Sequence, residues 1–164
     1  MKIGIVSDSH GLARTLRSAV EELVARGAEA IVHCGDIGSE ACLEALGQAR
    51  VAIYAVAGNM DRHAERLAEA ARRCGVHFGI DAVLLPLGGG HYLAVTHGNN
   101  PAIVQMLLGD EHYPFLCVGH THKPLDEHVG HTHVINPGAL RHAGVVTVAL
   151  LDTETDTVVH IEIR

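Results

Sequence analysis

Ile3-Gly4-Ile5-Val6-Ser7-Asp8-Ser9-His10-Gly11 decides the reading. A short β-branched run, readable as a buried strand, stops and hands the chain to a carboxylate and an imidazole two positions apart. The same figure returns downstream. Ala30–Cys34 is a second apolar run, with Asp36 just past it in His33-Cys34-Gly35-Asp36. Val51–Ala57 is a third, followed by Gly58-Asn59-Met60-Asp61. Between the runs, Leu12, Leu16, Val20, Leu23 and Val24 recur at helical spacing and Gly27 stops the helix. Ser39 is placed to cap a helix whose apolar face includes Cys42, Leu43 and Leu46. Asp61 is placed to open an alanine-rich helix that runs to Arg73 and closes at Gly75. Strand and helix in strict alternation predict a largely parallel sheet with crossover helices.

The second half changes character. Val83–Leu87 and Tyr92–Thr96 flank Gly88-Gly89-Gly90 as a hairpin, Pro101–Leu108 reads as one short helix, and Pro114–Val118 as a strand. Leu125–Val129 with Thr132–Ile135, and Val145–Leu151 with Thr157–Ile163, form two further pairs. A helix-rich front and a strand-rich back predict two packed sheets with helices outside. No linker or repeat interrupts residues 1–164, so one domain is expected.

Composition narrows the function. Of 164 residues, 48% are hydrophobic and 19% charged, which is globular composition. With two Phe, three Tyr and no Trp, the core must be aliphatic. A net charge of −7, with the basic residues scattered, disfavours a nucleic acid polymer as partner. Cys34, Cys42, Cys74 and Cys117 include no Cys-x-x-Cys and read as reduced thiols. No apolar run approaches the roughly 20 residues that span a bilayer. Met1–Val6 leads straight into Ser7-Asp8 without a signal-peptide cleavage pattern, so no membrane association and a cytoplasmic location are expected. Whether the chain forms a homo-oligomer stays open.

Fourteen histidines are the oddest feature of the composition, and their placement matters more than their number. Asp8 and His10 follow the first strand, Asp36 the second and Asn59 the third. His97 follows Tyr92–Thr96, and His120 and His122 follow Pro114–Val118. Five strands thus deliver seven metal-competent side chains just past their carboxyl ends, where open α/β sheets place their ligands. Gly11, Gly35, Gly58, Gly98 and Gly119 stand beside them. Imidazole suits Zn, Fe and Ni, while carboxylate and amide oxygens suit Mn and Mg, so the mixed set calls for a borderline dication.

Taken in order, Asp-x-His, Gly-Asp, Gly-Asn, His-Gly and Gly-His-x-His resemble the calcineurin-like metallophosphoesterase family. The length and the late Asn136-Pro137-Gly138 are similar to its small bacterial and archaeal phosphodiesterase branch. The resemblance runs from Ile5 to about Gly138. It implies an α/β fold: a four-layer α/β/β/α sandwich of two mixed sheets with helices on the outer faces. It also implies two divalent metal ions, manganese first, with Zn, Ni, Fe and Mg as alternatives. Asp8, His10, Asp36 and His122 would hold one ion; Asp36, Asn59, His97 and His120 would hold the second, with Asp36 bridging. Hydroxide held between the metals would attack phosphorus in a small phosphoester, a phosphodiester above all. Asp36, Asn59 and His97 would form the catalytic set, with Asn59 and His97 orienting the phosphate. Two dications against the carboxylates of Asp8 and Asp36 leave the pocket net positive, which suits a phosphate despite the acidic whole.

Rival readings exist. His131-Thr132-His133 repeats the His-Thr-His triplet but lies inside a hairpin, with no carboxylate strand ends to match. His33 reads as core or support rather than ligand. His63, His77, His91, His112, His128, His142 and His160 fit no motif and default to the surface. Many family members carry His directly after the Gly-Asn asparagine, where it protonates the leaving group; here that position is Met60. The alternatives to a phosphodiesterase are a non-catalytic protein-interaction scaffold on the same fold, as in a retromer subunit, and a nuclease. A complete ligand set speaks against the first, and the absence of a basic, aromatic-rich stretch against the second.

Overall fold

Alternation along β1 (Lys2–Val6) sets the layers. Ile3 and Ile5 face one side while Gly4 and Val6 face the other, and all four are buried. A strand covered on both faces belongs at the centre of a sheet with layers above and below. The computed structural model, which describes residues 1–163, places it there. Parallel strands β1, β2 (Ala30–His33), β3 (Ala52–Val56) and β4 (His77–Gly79) lie side by side. The antiparallel pair β10 (Thr147–Asp152) and β11 (Thr157–Glu162) extends the sheet beyond β1. The second sheet runs β5 (Val83–Gly88), β6 (His91–Val95), β7 (Phe115–Cys117), β9 (Thr132–Asn136) and β8 (Leu125–Val129). Within it β6, β7 and β9 are parallel, and β5 and β8 are antiparallel edges.

Three apolar layers hold the sheets and helices together. Helices α1 (Ala13–Ala25), α2 (Glu40–Gly47) and α3 (Ala64–Arg73) cover the first sheet, packing Leu16, Leu23, Leu43 and Leu67 onto Val6, Ile31 and Ile53. Between the sheets, Ile3, Ile5, Val32 and Val56 meet Leu93, Val95, Cys117 and Ile135. On the far side α4 (Pro101–Leu108) lays Leu107 over Ala94, Leu116 and Val134. The result is a four-layer α/β/β/α sandwich of two mixed sheets. No helix among the described residues is long and apolar enough to cross a membrane.

Three boundaries differ from the sequence reading. His77-Phe78-Gly79 forms a strand that periodicity does not announce. Three residues ending in glycine carry no alternation, and β4 exists because it pairs with β3 and stacks His77 on Tyr54 at 4.6 Å. The third helix starts at Ala64 rather than Asp61, because the Asp61 carboxylate is engaged elsewhere. The strand expected from Val145 begins at Thr147, where pairing with Glu162 starts, and Val145 is 53% exposed.

Ile5 is fully buried between the sheets. Ile5→Ala should therefore cost about 2–5 kcal/mol, read as a lowered urea midpoint. Val145→Ala should move the midpoint by less than about 0.5 kcal/mol. Equal shifts for the two would mean the inter-sheet layer is not the main apolar core.

Candidate metal centre

The strand ends enter the site in a backbone conformation that side-chain-bearing residues rarely adopt. Asp8 (φ 54°), His10 (φ 43°), Asp36 (φ 53°), His120 (φ 67°) and His122 (φ 59°) all lie in the left-handed region. Only two other non-glycine residues among those described share it, His142 and Asp156. Each such residue costs of order 1–3 kcal/mol unless its surroundings enforce it, and such costs gather at functional sites. The enforcement is visible in the backbone. Asp8 N–H donates to Gly35 O at 3.0 Å, His10 N–H to Asp36 O at 2.9 Å and Gly11 N–H to Ile37 O at 2.8 Å. The loops after β1 and β2 are thus zipped together, carrying Asp8, His10 and Asp36 into one corner. From the second sheet, Gly119 N–H donates to His97 O at 3.0 Å, joining the loops after β6 and β7.

The donor atoms converge. Asp36 Oδ2 lies 3.7 Å from His10 Nε2 and 3.4 Å from His97 Nε2. Asp8 Oδ1 lies 3.8 Å from His10 Nε2 and 3.1 Å from His122 Nε2. Asn59 Oδ1 is 3.0 Å from His97 Nε2. Two tight groups result, Asp8 with His10 and His122, and Asp8 with Asp36 and His97. His120 joins neither: its ring stands edge-on to His97 at 5.2 Å, while its backbone N–H donates to Asp8 Oδ2 at 3.2 Å.

The electrostatics follow from burial. Desolvation alone would raise the Asp36 carboxyl, but hydrogen bonds from His97 and from Met60 N–H outweigh it and hold Asp36 below the usual range. Desolvation would lower His97, yet its contacts with Asp36 and with Cys34 O raise it above the usual value. At His10, desolvation prevails over the attraction of Asp36 and Asp8 and lowers it. Asp8 Oδ1 and His10 Nε2 are buried without any hydrogen-bond partner. Such orphans cost about 1–3 kcal/mol each, and a cation between them would satisfy both. Carboxylate, imidazole and amide oxygen in this corner therefore fit divalent metal.

Supporting residues fix these donors. Ser7 Oγ donates to Asp8 Oδ2 at 2.5 Å. Asp61, expected as a helix opener, instead accepts from Ile37 N–H (3.0 Å), Gly38 N–H (2.8 Å) and Gly58 N–H (2.9 Å). One carboxylate thereby ties the Asp36 loop to the Asn59 loop. Asn136 Nδ2 donates to Gly119 O (2.8 Å) and Thr121 Oγ1 (3.1 Å), anchoring the loop that carries His120 and His122. Gly58 and Gly119 are required by close approach: a Cβ at either would collide with Asp36 or with Ser7.

His142 and His128 are exposed, as their surface default has it, yet folding gives each a close neighbour. His142 sits in the loop before β10, its ring 5.3 Å from that of His10 and 6.4 Å from that of His122. Nothing in Arg141-His142-Ala143 signals this, because the proximity is purely tertiary. His160 is half-buried, with Nε2 2.8 Å from Asn136 O. His128 and His133 meet Asp156 away from this corner.

This arrangement belongs to a known class. Residues 1–156 match the calcineurin-like phosphoesterase superfamily domain, and the chain belongs to that family. It is a phosphoesterase by that membership. Phosphodiesterase MJ0936 of Methanocaldococcus jannaschii is 31% identical over 156 residues, 94% of each chain. The structure of an archaeal phosphodiesterase superposes with a TM-score of 0.88 at 29% identity, covering 99% of this chain and all of that one. Vps29 of Chaetomium thermophilum, 15% identical, shares the fold with a TM-score of 0.70 over 99% of this chain and 97% of its own.

His33 supports the site in its neutral form. Its Nδ1 accepts from Gly35 N–H at 3.2 Å, so Nε2 carries the proton towards Ser9 Oγ at 2.9 Å, and Ser9 Oγ donates to Ile37 O. Burial, with His97 adding, pushes the ring from the usual 6.5 down to about 3. An unfolded chain protonates this group near 6.5, so between there and about 3 the unfolded state binds more protons. Stability therefore falls as pH drops through that window, by up to about 1.4 kcal/mol per pH unit for this one group. In NMR, the His33 ring signals should stay fixed from pH 7 to 4. A titration near 6.5 would refute the buried hydrogen-bond chain.

Proposed function

We propose that the chain hydrolyses small phosphodiesters at a centre of two divalent cations. Asp8, His10, Asp36 and His122 would hold one, and Asp36, Asn59, His97 and His120 the other. The observation that carries this reading is that Asp36 Oδ2 lies within 3.7 Å of His10 Nε2 and 3.4 Å of His97 Nε2, so this one carboxylate would be shared by the two ligand sets. When bound, the cations supply Lewis acidity towards the phosphoryl oxygens and make water a nucleophile at neutral pH. Manganese suits the oxygen-rich share of the donors, with Zn, Ni, Fe and Mg as alternatives.

The chain's own residues then orient the reaction. His97 Nδ1 donates to Cys34 O at 2.8 Å, which fixes its ring so that Nε2 faces Asp36 Oδ2 and Asn59 Oδ1, where it would hold a cation and orient a phosphate. Beside Asn59 and His97 opens a cleft of about 220 Å³, also lined by Asn99, Asn100, Ile80 and Ile103. Its size suits a small ester, and its mixed lining offers amide donors to phosphate and an apolar wall to the leaving group. The phosphodiesterase relatives support the substrate class. Four free cysteines, three of them buried, fit a reducing cytoplasm. The likeness to Vps29 is one of fold alone, and the near-complete convergence of donors favours catalysis over a scaffold.

Met60 defines the chemistry that is missing. Its N–H donates to Asp36 Oδ1 at 2.8 Å, while its side chain is 52% exposed and cannot release a proton. A positioned general acid contributes about 10²–10⁴-fold, most for basic leaving groups. Aryl diesters should turn over well under saturating Mn²⁺ and alkyl monoesters poorly. Met60→His should flatten the dependence of rate on leaving-group pKa. A shallow dependence in the wild type, unchanged by the substitution, would show that another residue already donates the proton.

The two His-Thr-His triplets test the assignment itself. His122→Ala should lower the rate at least about 10²-fold as a cation is displaced, and chelator should abolish activity. His131→Ala should stay within a few-fold of wild type. Full activity in His122→Ala, or in chelator, would overturn the two-cation reading.

A further inference from the structure

A second cluster of metal-competent side chains occupies the opposite end of the sandwich. His133 is the second residue of β9, which is buried throughout, and pairs with Phe115, the first residue of β7. The candidate metal centre lies past the other ends of these strands, roughly 10 Å along β9 at about 3.3 Å per residue. His133 Nδ1 lies 2.6 Å from Asp156 Oδ1, and His128 Nε2 lies 3.0 Å from Asp156 Oδ2. The His128 and His133 rings stack at 4.1 Å, and one donor atom from each of the three residues falls within 4.8 Å of the others.

We propose that His128, His133 and Asp156 form a binding site for one divalent cation of the zinc class, separate from the two-cation centre. Two imidazoles and a carboxylate are a donor set that zinc-class ions prefer, with a fourth position left for solvent. The surroundings match as well. His133 Nε2 lies 2.7 Å from Asp126 Oδ1. A carboxylate on the far nitrogen of a histidine fixes its tautomer and presents the other nitrogen as a ligand, as is usual at metal sites. His133 itself is only 2% exposed, so its ring cannot turn away. Solvent still reaches the ligand atoms through a cleft of about 520 Å³ shared with His91, His131 and Glu154. Asp156 belongs to the β10–β11 turn of the first sheet, and His128 and His133 to the second. A cation here would staple the two sheets at the end where no catalytic residue lies.

Metal counting decides the matter. Chelator-stripped full-length chain is reloaded with Zn²⁺ alone, freed of excess, and analysed for zinc per chain. His128→Ala and Asp156→Asn change side chains that are 55% and 48% exposed, so the fold should survive both. Each variant should bind one equivalent fewer than its parent and still hydrolyse an aryl diester at the parental rate. The same one-equivalent difference should persist in a chain carrying Asp36→Asn, which makes the result independent of the two-cation reading. Asp126→Asn should weaken this site about 10–100-fold in a Zn²⁺ titration. Equal zinc content in parent and both variants would overturn the proposal.

Discussion

A desolvated carboxylate whose oxygens face groups from both sheets governs this fold's working edge. Asp36 is 3% exposed, and burial by itself opposes its charge. Met60 N–H satisfies Oδ1, while Oδ2 is directed at the imidazoles of His10 and His97. Those rings come from different sheets, so the position of one oxygen couples the two halves of the sandwich. Cys34 O, at the end of the first sheet, accepts from His97 Nδ1 and strengthens the coupling. The left-handed turns at Asp8, His10 and Asp36 are the conformational cost of bringing these groups together, offset by the Asp8–Gly35, His10–Asp36 and Gly11–Ile37 backbone bonds.

Rigidity here is layered. Asp61 holds no reacting group, yet its two oxygens gather three backbone N–H groups from the loops that carry Asp36 and Asn59. Asn136 does the same for the His120–His122 loop. Both are nearly inaccessible to water, so their bonds operate in low dielectric, where they hold most strongly. The sheet supplies direction, and these two polar side chains supply precision.

What the sequence reveals depends on whether a signal is local. Ile3–Val6, Ala30–His33 and Ala52–Val56 are legible because each is an apolar run that ends abruptly in polar residues. That same abruptness places Asp8, Asp36 and Asn59 at one sheet edge. The strand at His77–Gly79 is illegible because it exists only through pairing with Tyr54–Val56. Asp61 is ambiguous in sequence because a carboxylate ahead of a helix looks the same whether it caps that helix or reaches across to Ile37 and Gly38. His142 looks like any surface histidine, and His133 like half of a repeated triplet without carboxylates, until folding sets one beside His10 and the other between Asp126 and Asp156. Among the expected histidine and aspartate ligands, His120 alone joins neither converged group, and its sequence neighbour His122 gives no hint of the difference.

The two ends of the sandwich solve the problem of buried histidine in opposite ways. Around Asp36 and Asp8 the protein leaves Asp8 Oδ1 and His10 Nε2 without partners. Around His133 each ring nitrogen already faces a carboxylate oxygen, at 2.6 and 2.7 Å. Loss of a cation from the first end would leave Asp8 Oδ1 and His10 Nε2 buried without partners, a state that costs free energy and favours reloading. Loss from the second would collapse it into charge-assisted hydrogen bonds that are stable on their own. Affinity should therefore be high where the protein is frustrated and modest where it is satisfied. That difference would let one chain keep a tightly held cation at the Asp36 corner while exchanging one at its far edge.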